Sequence, residues 1–254
     1  MSRFENTVAL VTGAGSGIGA AIARRLAADG ARVAVLDLDR RRAEEIAAEL
    51  GAAARPALAV VADVADAGQV DAAVKQVTEE WGAVDILVNN AGWDRIEPFV
   101  RNTPEFWDRV IAINLRGPIH CTRAVVDGML ARGRGKIVFI GSDAGRVGSS
   151  GEAVYSACKG GVIAFAKTLA RELARQRINV NVVCPGPTDT RLLADIRSQP
   201  DGEKVIDAMV RAIPFRRLGE PEDICGAVAF FASSDADFIT GQVISVSGGL
   251  TMAG

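Results

Sequence analysis

The chain has one tyrosine, Tyr155, and four positions later comes Lys159, so on a helix the phenol and the ammonium share a face. A phenol titrates near pH 10 and is a poor base at neutral pH. A neighbouring ammonium favours the phenolate, and each pKa unit is worth about 1.4 kcal/mol. Ser142 lies thirteen residues earlier, where a hydroxyl could hydrogen-bond a reacting oxygen and polarise it. The single histidine, His120, follows Gly117-Pro118-Ile119 in a mostly apolar stretch and reads as a packed or partly exposed helical residue. Any Ser-His-Asp or Cys-His mechanism would have to use it, and a metal site would have almost no imidazole, so no metal is expected.

A second group of residues points to a nucleotide. The run Gly13-Ala14-Gly15-Ser16-Gly17-Ile18-Gly19 follows the first apolar stretch and leads into a helix. Such glycines let the backbone turn tightly and approach a pyrophosphate, while the helix N-terminus supplies free N–H groups and a positive dipole end. The spacing is G-x-x-x-G-x-G rather than G-x-G-x-x-G, so its position after the first strand carries much of the argument. Asp37 stands 18 residues after Gly19. An acid there accepts hydrogen bonds from ribose hydroxyls and repels a 2′-phosphate, and Leu38 after it offers no cation. Arg40, Arg41 and Arg42 open the next helix and read as a solvated face, so NAD is expected rather than NADP. Asp63-Val64, where the adenine would lie, and Asn89-Asn90-Ala91-Gly92 end the third and fourth strands.

These residues need a frame to hold them. Thr7–Thr12, Arg32–Leu36, Ala57–Ala62, Val84–Val88, Lys136–Ile140, Ile178–Cys184 and Val243–Val246 read as strands buried on both faces: β-branched, nearly continuous in hydrophobicity, bounded by Gly, Asp, Asn or Pro. Helical spacing fills the intervals at Ile18–Ala28, Arg41–Leu50, Gln69–Trp81, Pro104–Ala131, Val154–Gln176 and Pro221–Ala232. The alternation predicts one α/β domain over 1–254, a doubly wound Rossmann-type sheet of about seven parallel strands with helices on both faces. Residues 51–54 read as a loop after the second helix. The segment from about 186 to 214 is longer than an ordinary connection and reads as a substrate loop. Arg146, Arg191 and Arg197 flank that cleft, although an exposed arginine is most often simply solvated.

Composition sets the outer limits. Twenty-nine basic against 31 acidic residues leave a net charge of −2, which excludes the global positive field of a nucleic-acid binder. No uncharged stretch is apolar enough to span a bilayer, and the first residues lack the pattern of a signal peptide. Cys121, Cys158, Cys184 and Cys225 form no CxxC pair and read as reduced thiols, so a cytoplasmic location is expected, with no membrane or nucleic-acid partner.

Taken with Thr12-Gly13, Gly17-Ile18-Gly19, Asn89-Asn90-Ala91-Gly92, Asn114-Leu115-Arg116-Gly117, Pro185-Gly186 and Ser247-Gly248-Gly249, the residues Ser142 and Tyr155-x-x-x-Lys159 resemble the short-chain dehydrogenase/reductase family over the whole chain. The resemblance implies that Tyr155 exchanges a proton with the substrate oxygen and Ser142 orients it. It also implies that Lys159 lowers the Tyr155 pKa and holds the nicotinamide ribose, and that Asn114 holds a water in a proton relay. Gly13, Ser16, Gly17, Ile18, Gly19, Asp37, Leu38, Asp63, Val64, Asn90, Ala91, Gly92, Tyr155, Lys159, Pro185, Gly186 and Thr188 would contact the dinucleotide. A homotetramer is implied too.

A narrower likeness lies in Asn90–Asp94, Ser142–Tyr155, Val182–Thr190 and Phe238–Gln242. These stretches are similar to dehydrogenases that oxidise 2-hydroxycyclohexane-1-carboxyl-CoA to the 2-oxo product in benzoate and cyclohexanecarboxylate breakdown. They imply an acyl-CoA substrate whose ring alcohol lies β to the thioester, and make Arg146, Arg191 and Arg197 candidates for the CoA phosphates. The alternative is reduction of 3-oxoacyl-(acyl carrier protein) or 3-oxoacyl-CoA, normally with NADPH, against which Asp37 argues. A non-catalytic dinucleotide sensor would be expected to lose Ser142, Tyr155 or Lys159.

Overall fold

The computed structural model describes residues 2–253 except 54–55, 191–192, 194–196 and 198–200. Seven parallel strands form one sheet in the order β3-β2-β1-β4-β5-β6-β7. They are β1 (Val8–Thr12), β2 (Arg32–Asp37), β3 (Ala57–Val61), β4 (Ile86–Asn89), β5 (Gly135–Ile140), β6 (Ile178–Pro185) and β7 (Val243–Val246). The expected doubly wound sheet is therefore present, with strand ends within about two residues of those read from the pattern.

Side chains alternate between the two faces of each strand. Ala9 and Val11 of β1 pack toward α1 (Gly17–Ala28) and α2 (Arg40–Ala52), and Val8 and Leu10 pack toward the opposite layer of helices. That layer holds α3 (Ala67–Trp81) and two later helices, over Gly117–Arg132 and Ala153–Leu173. With both faces covered, a strand such as β6 is buried along its whole length, which is why its sequence is nearly continuously apolar. Burying a Leu or Ile side chain contributes about 1.5–3 kcal/mol, so these two layers dominate the fold's stability. Asp39 caps α2 by accepting from the Arg42 N–H at 3.2 Å, and Asp66 caps α3 by accepting from Gly68 and Gln69.

The long helix expected over 104–131 is divided. α4 (Pro104–Ile111) passes through a π-helical turn at Ala112–Arg116 into α5 (Gly117–Arg132). Beyond β5 come a four-residue helix, α6 (Ala144–Val147), and then α7 (Ala153–Leu173), which finishes in a 3₁₀ turn at Ala174–Gln176. Gly202–Ala212 forms a helix, α8, inside what the sequence suggests is one long loop; the 191–200 part of that loop is described only at Leu193 and Arg197. α9 (Pro221–Ala232) opens with a reciprocal cap between Glu220 and Asp223 and returns to the α1 face.

The strand order reverses between β1 and β4, because β2 and β3 lie to one side of β1 and β4 to β7 to the other. In such sheets the crevice at the carboxyl ends of the strands flanking that reversal is where a ligand fits.

Candidate active site

The glycine run fills the first half of that crevice. Gly13 has φ +62° and Gly17 φ +53°, conformations that side-chain-bearing residues rarely adopt. A Cβ on Gly19 would stand 2.1 Å from the Gly13 carbonyl oxygen, and one on Gly13 would stand 2.9 Å from the Ala91 Cα. The backbone therefore closes up against the end of β4 as only glycine permits. Ser16 precedes α1 without a cap hydrogen bond from its hydroxyl, and Ile18 is the second residue of the helix. The loop is braced from below by two side chains. Thr12 Oγ1 accepts from the N–H groups of Asn90 and Ala91, each at 3.0 Å, and Asn90 Nδ2 donates to the carbonyls of Thr12 at 2.9 Å and Gly13 at 3.2 Å. Thr12 was legible only as part of the motif; its bracing hydroxyl was not. This cradle fits a dinucleotide pyrophosphate: tight turns, a helix N-terminus and no side chain in the way.

At the adenosine end, Asp37 closes β2 and its carboxylate accepts from the Gly15 N–H and the Asp39 N–H, both at 2.9 Å. Leu38 beside it is 69% exposed. The three arginines that follow are all turned to carboxylates: Arg42 to Asp39 at 3.2 Å, Arg41 to Glu45 at 2.7 Å and Arg40 to Glu44 at 3.5 Å. Asp63 sits just beyond β3 and spends Oδ1 on the Ala65 N–H. Val64 is buried, and its carbonyl oxygen is bonded to His120 Nδ1 at 3.0 Å, which gives the lone histidine a place in the wall under the adenine position.

The second half of the crevice carries ionisable side chains. Asn114 is fully buried in the π turn. Its Nδ2 donates to the carbonyls of Trp93 at 2.6 Å and Val110 at 2.9 Å, and its Oδ1 accepts from the Trp93 N–H at 3.2 Å. An amide inserted against the carbonyl four residues back is a physical cause for the widened turn, and π turns of this kind are frequent at functional sites. Both amide protons are thereby used, leaving one lone pair of Oδ1 for a further partner. Gly92 lies where a Cβ would meet that oxygen at 3.0 Å and Lys159 Nζ at 3.7 Å.

Lys159 is buried, with Nζ donating to the Ile140 carbonyl at 2.9 Å and standing 5.5 Å from the centroid of the Tyr155 ring. Burial pushes its pKa down to about 8. Tyr155 departs from the sequence expectation. Burial first, then the charge of Glu152, drives its pKa well above the ordinary phenol value; the Ser142 hydroxyl opposes this, and Asp94 adds to it. In the protein alone, desolvation and two carboxyl groups outweigh the hydrogen bond with Ser142. Ser142 follows β5, and its Oγ accepts from the Ala144 N–H at 3.1 Å, which fixes it at the start of α6.

On the far wall, Gly186 abuts Ser247, whose Cβ would lie 2.7 Å from a Cβ placed on it. Thr188 is buried and donates to the Gly186 carbonyl at 2.9 Å. The arginines suggested for CoA phosphates are differently engaged. Arg146 donates to Ser245 at 2.7 Å and to the Ala253 carbonyl, Arg197 pairs with Asp189 at 3.1 Å, and Arg191 lies outside the described residues. Asp94 and Glu152, which flank Tyr155 electrostatically, lie inside the stretches of the narrower likeness, but neither has a role of its own in the sequence reading.

A family profile described as enoyl-(acyl carrier protein) reductase matches residues 13–251. The chain is 41% identical to galactitol 2-dehydrogenase of Agrobacterium fabrum (strain C58 / ATCC 33970), over 99% of this chain and 100% of that one. It is 39% identical to a 3-oxoacyl-(acyl-carrier-protein) reductase of Escherichia coli (strain K12), over 98% and 99% respectively. It is 41% identical to (3R)-3-hydroxyacyl-CoA dehydrogenase of Canis lupus familiaris, over 98% of each chain. The names of these relatives span sugar-alcohol and acyl-thioester chemistry, so resemblance at this level does not single out the cyclohexane substrate.

Proposed function

The chain belongs to the short-chain dehydrogenase/reductase family of oxidoreductases, and on that premise we propose that it oxidises a secondary alcohol with NAD. The observation that carries this is the convergence of Ser142, Tyr155, Lys159 and Asn114 beside the glycine cradle, at the carboxyl edge of the sheet. NAD supplies the hydride acceptor. Tyr155, as phenolate, takes the hydroxyl proton while Ser142 holds the same oxygen. Lys159 anchors the nicotinamide ribose, and the free lone pair of Asn114 Oδ1 faces the same Gly92 as Lys159 Nζ, where a water can link them. Gly186 and Thr188 wall off the nicotinamide side.

For the substrate we take a ring alcohol β to a CoA thioester, 2-hydroxycyclohexane-1-carboxyl-CoA. The support is the likeness in the stretches around Asp94, Ser142–Tyr155 and Val182–Thr190. One observation favours a second reading, reduction of a 3-oxoacyl thioester: burial keeps Tyr155 in its protonated form at neutral pH, the form that carbonyl reduction starts from. Initial rates with NAD and NADP on that CoA thioester, its free acid, a 3-hydroxyacyl-CoA and galactitol, and with NADH and NADPH on a 3-oxoacyl-CoA, test both. Remote binding raises kcat as well as lowering KM, so kcat/KM should be far higher for the cyclohexane thioester than for its acid. Equal values would remove the thioester assignment, and faster reduction of the straight-chain thioester with NADPH would install the second reading.

A further inference from the structure

Asp94 is 7% exposed, and its Oδ2 is buried with no hydrogen-bond partner among the described residues. Buried polar atoms are nearly always paired, and the exceptions tend to mark function. The backbone here is not free to relax, because Trp93, immediately before Asp94, is clasped through both its N–H and its carbonyl by the Asn114 side chain. The carboxyl is therefore held in place by the same residue that widens the helix at the centre of the site.

The charged and titratable groups around it are few. On its own segment, Arg95 turns away, pairing with Glu97 at 3.0 Å and lying over the Phe106 ring at 5.0 Å from the centroid. From α4, Arg109 is stacked on the Trp93 ring at 3.9 Å. From α7 and the residue before it come Glu152, Tyr155 and Cys158; Trp93, next to Asp94, packs in one apolar cluster with Tyr155 and Cys158, which brings the Asp94 carboxyl within electrostatic reach of the phenol, the thiol and Glu152. Asp94 has no ion pair among the described residues. Burial and Glu152 push its pKa up to about 7 against the weaker pull of Arg95 and its N–H.

We propose that Asp94 is a positioning residue for Tyr155, its carboxyl acting through space, with Glu152, to decide how readily the phenol gives up its proton. The sign is fixed by like-charge repulsion. While Asp94 is neutral the phenolate forms against burial and Glu152 alone. Once Asp94 is ionised, as the pH rises through neutrality, a second negative charge opposes the phenolate. Alcohol oxidation, which needs the phenolate, is then held back at mildly alkaline pH, and carbonyl reduction, which needs the phenol, keeps its proton donor. This holds for any alcohol the site accepts and does not depend on the thioester assignment.

Asp94→Asn keeps the shape and removes the charge. Relative to wild type, the rising limb of kcat/KM for alcohol oxidation, which follows formation of the phenolate, should move to lower pH by about one unit, with oxidation near pH 8 several-fold faster. The limb for carbonyl reduction should fall earlier by the same shift. Glu152→Gln should move both limbs the same way and covers the case in which Asp94→Asn fails to fold. Because Tyr155 is the sole tyrosine, its phenolate absorbance in the near ultraviolet can be titrated in the protein alone, and Asp94→Asn should show phenolate at lower pH. That reading stands even if every thioester proves inert, a result that would strike the substrate assignment only. Limbs and absorbance that stay where wild type has them, or that move upward, overturn the proposal, since a merely structural Asp94 would alter rates without displacing a pKa.

Discussion

The two halves of the crevice are built on opposite principles. On the dinucleotide side, the functional elements are backbone, and the polar groups that shape them are satisfied: Thr12 and Asn90 together make four hydrogen bonds between the end of β1 and the end of β4, and Asp37 accepts two more. On the substrate side, the functional elements are side chains taken out of water. There Lys159 is shifted down, Tyr155 and Asp94 are shifted up, and Asp94 Oδ2 has no hydrogen-bond partner among the described residues. Binding a constant ligand needs a rigid shape, whereas moving a proton needs groups whose charge states are poised. A lost hydroxyl should therefore cost stability on one side and rate on the other.

Tyr155→Phe should break the substrate side most visibly. The ring stays and only the proton-transferring oxygen goes, so turnover at saturating NAD should fall by about 10²–10⁴-fold or more. NADH affinity, followed by its fluorescence, and the melting temperature should stay near wild type. No second tyrosine can substitute. Turnover close to that of the wild type would end the assignment of Tyr155 as the acid–base group.

Thr12→Val is the matching loss of one hydroxyl on the other side, with shape conserved. It leaves the N–H groups of Asn90 and Ala91 without their acceptor in a part-buried setting. An unsatisfied buried donor costs about 1–3 kcal/mol, which in a chain of this length corresponds to a fall in melting temperature of several degrees. Below that temperature kcat should hold within a few-fold, with the change appearing in KM for the dinucleotide. Loss of kcat with unchanged stability would dissolve the contrast between the halves.

The same division explains what the sequence discloses. The glycine run, Asp37 and the strand alternation are local patterns, because the shape they specify is made within a few residues of each. The seven parallel strands likewise announce themselves as apolar runs, although β3 and β7, at the two edges of the sheet, are only partly buried rather than buried on both faces. The substrate side depends on meetings between distant segments. The π turn holds an Asn114 whose amide reaches both the Val110 carbonyl within the helix and Trp93, 21 positions away, a meeting the local pattern does not carry, so the 104–131 stretch reads as one unbroken helix. Asp94 looks like an ordinary loop acid until α4 and α7 close over it. The phenol's proton affinity follows from burial and from Glu152, neither visible in the Tyr-x-x-x-Lys spacing, which by itself suggests the reverse shift. α8 was passed over because Pro and Gly punctuate the segment before it while its apolar face, ending on Ile206 and Met209, is short.

The smallest effect is expected at Asp37, where the two principles meet, because one carboxylate both shapes the loop and sets the charge. Asp37→Ala removes the repulsion that disfavours a 2′-phosphate, so the ratio of kcat/KM for NAD over NADP should narrow, by roughly tenfold, or about 1.4 kcal/mol. It should not invert, since Arg40, Arg41 and Arg42 are each turned toward a carboxylate and none is released by the substitution. The variant also removes the acceptor for the Gly15 N–H, so NAD itself should bind more weakly, and part of the narrowing will come from that loss. Adding Asp39→Asn, which frees Arg42, separates the two contributions: the double variant should gain in absolute kcat/KM for NADP, where the single variant mainly loses for NAD. A wild type that uses NADP as well as NAD would show that the carboxylate serves the loop alone, and a single variant that inverts the preference would show that the arginines were never occupied.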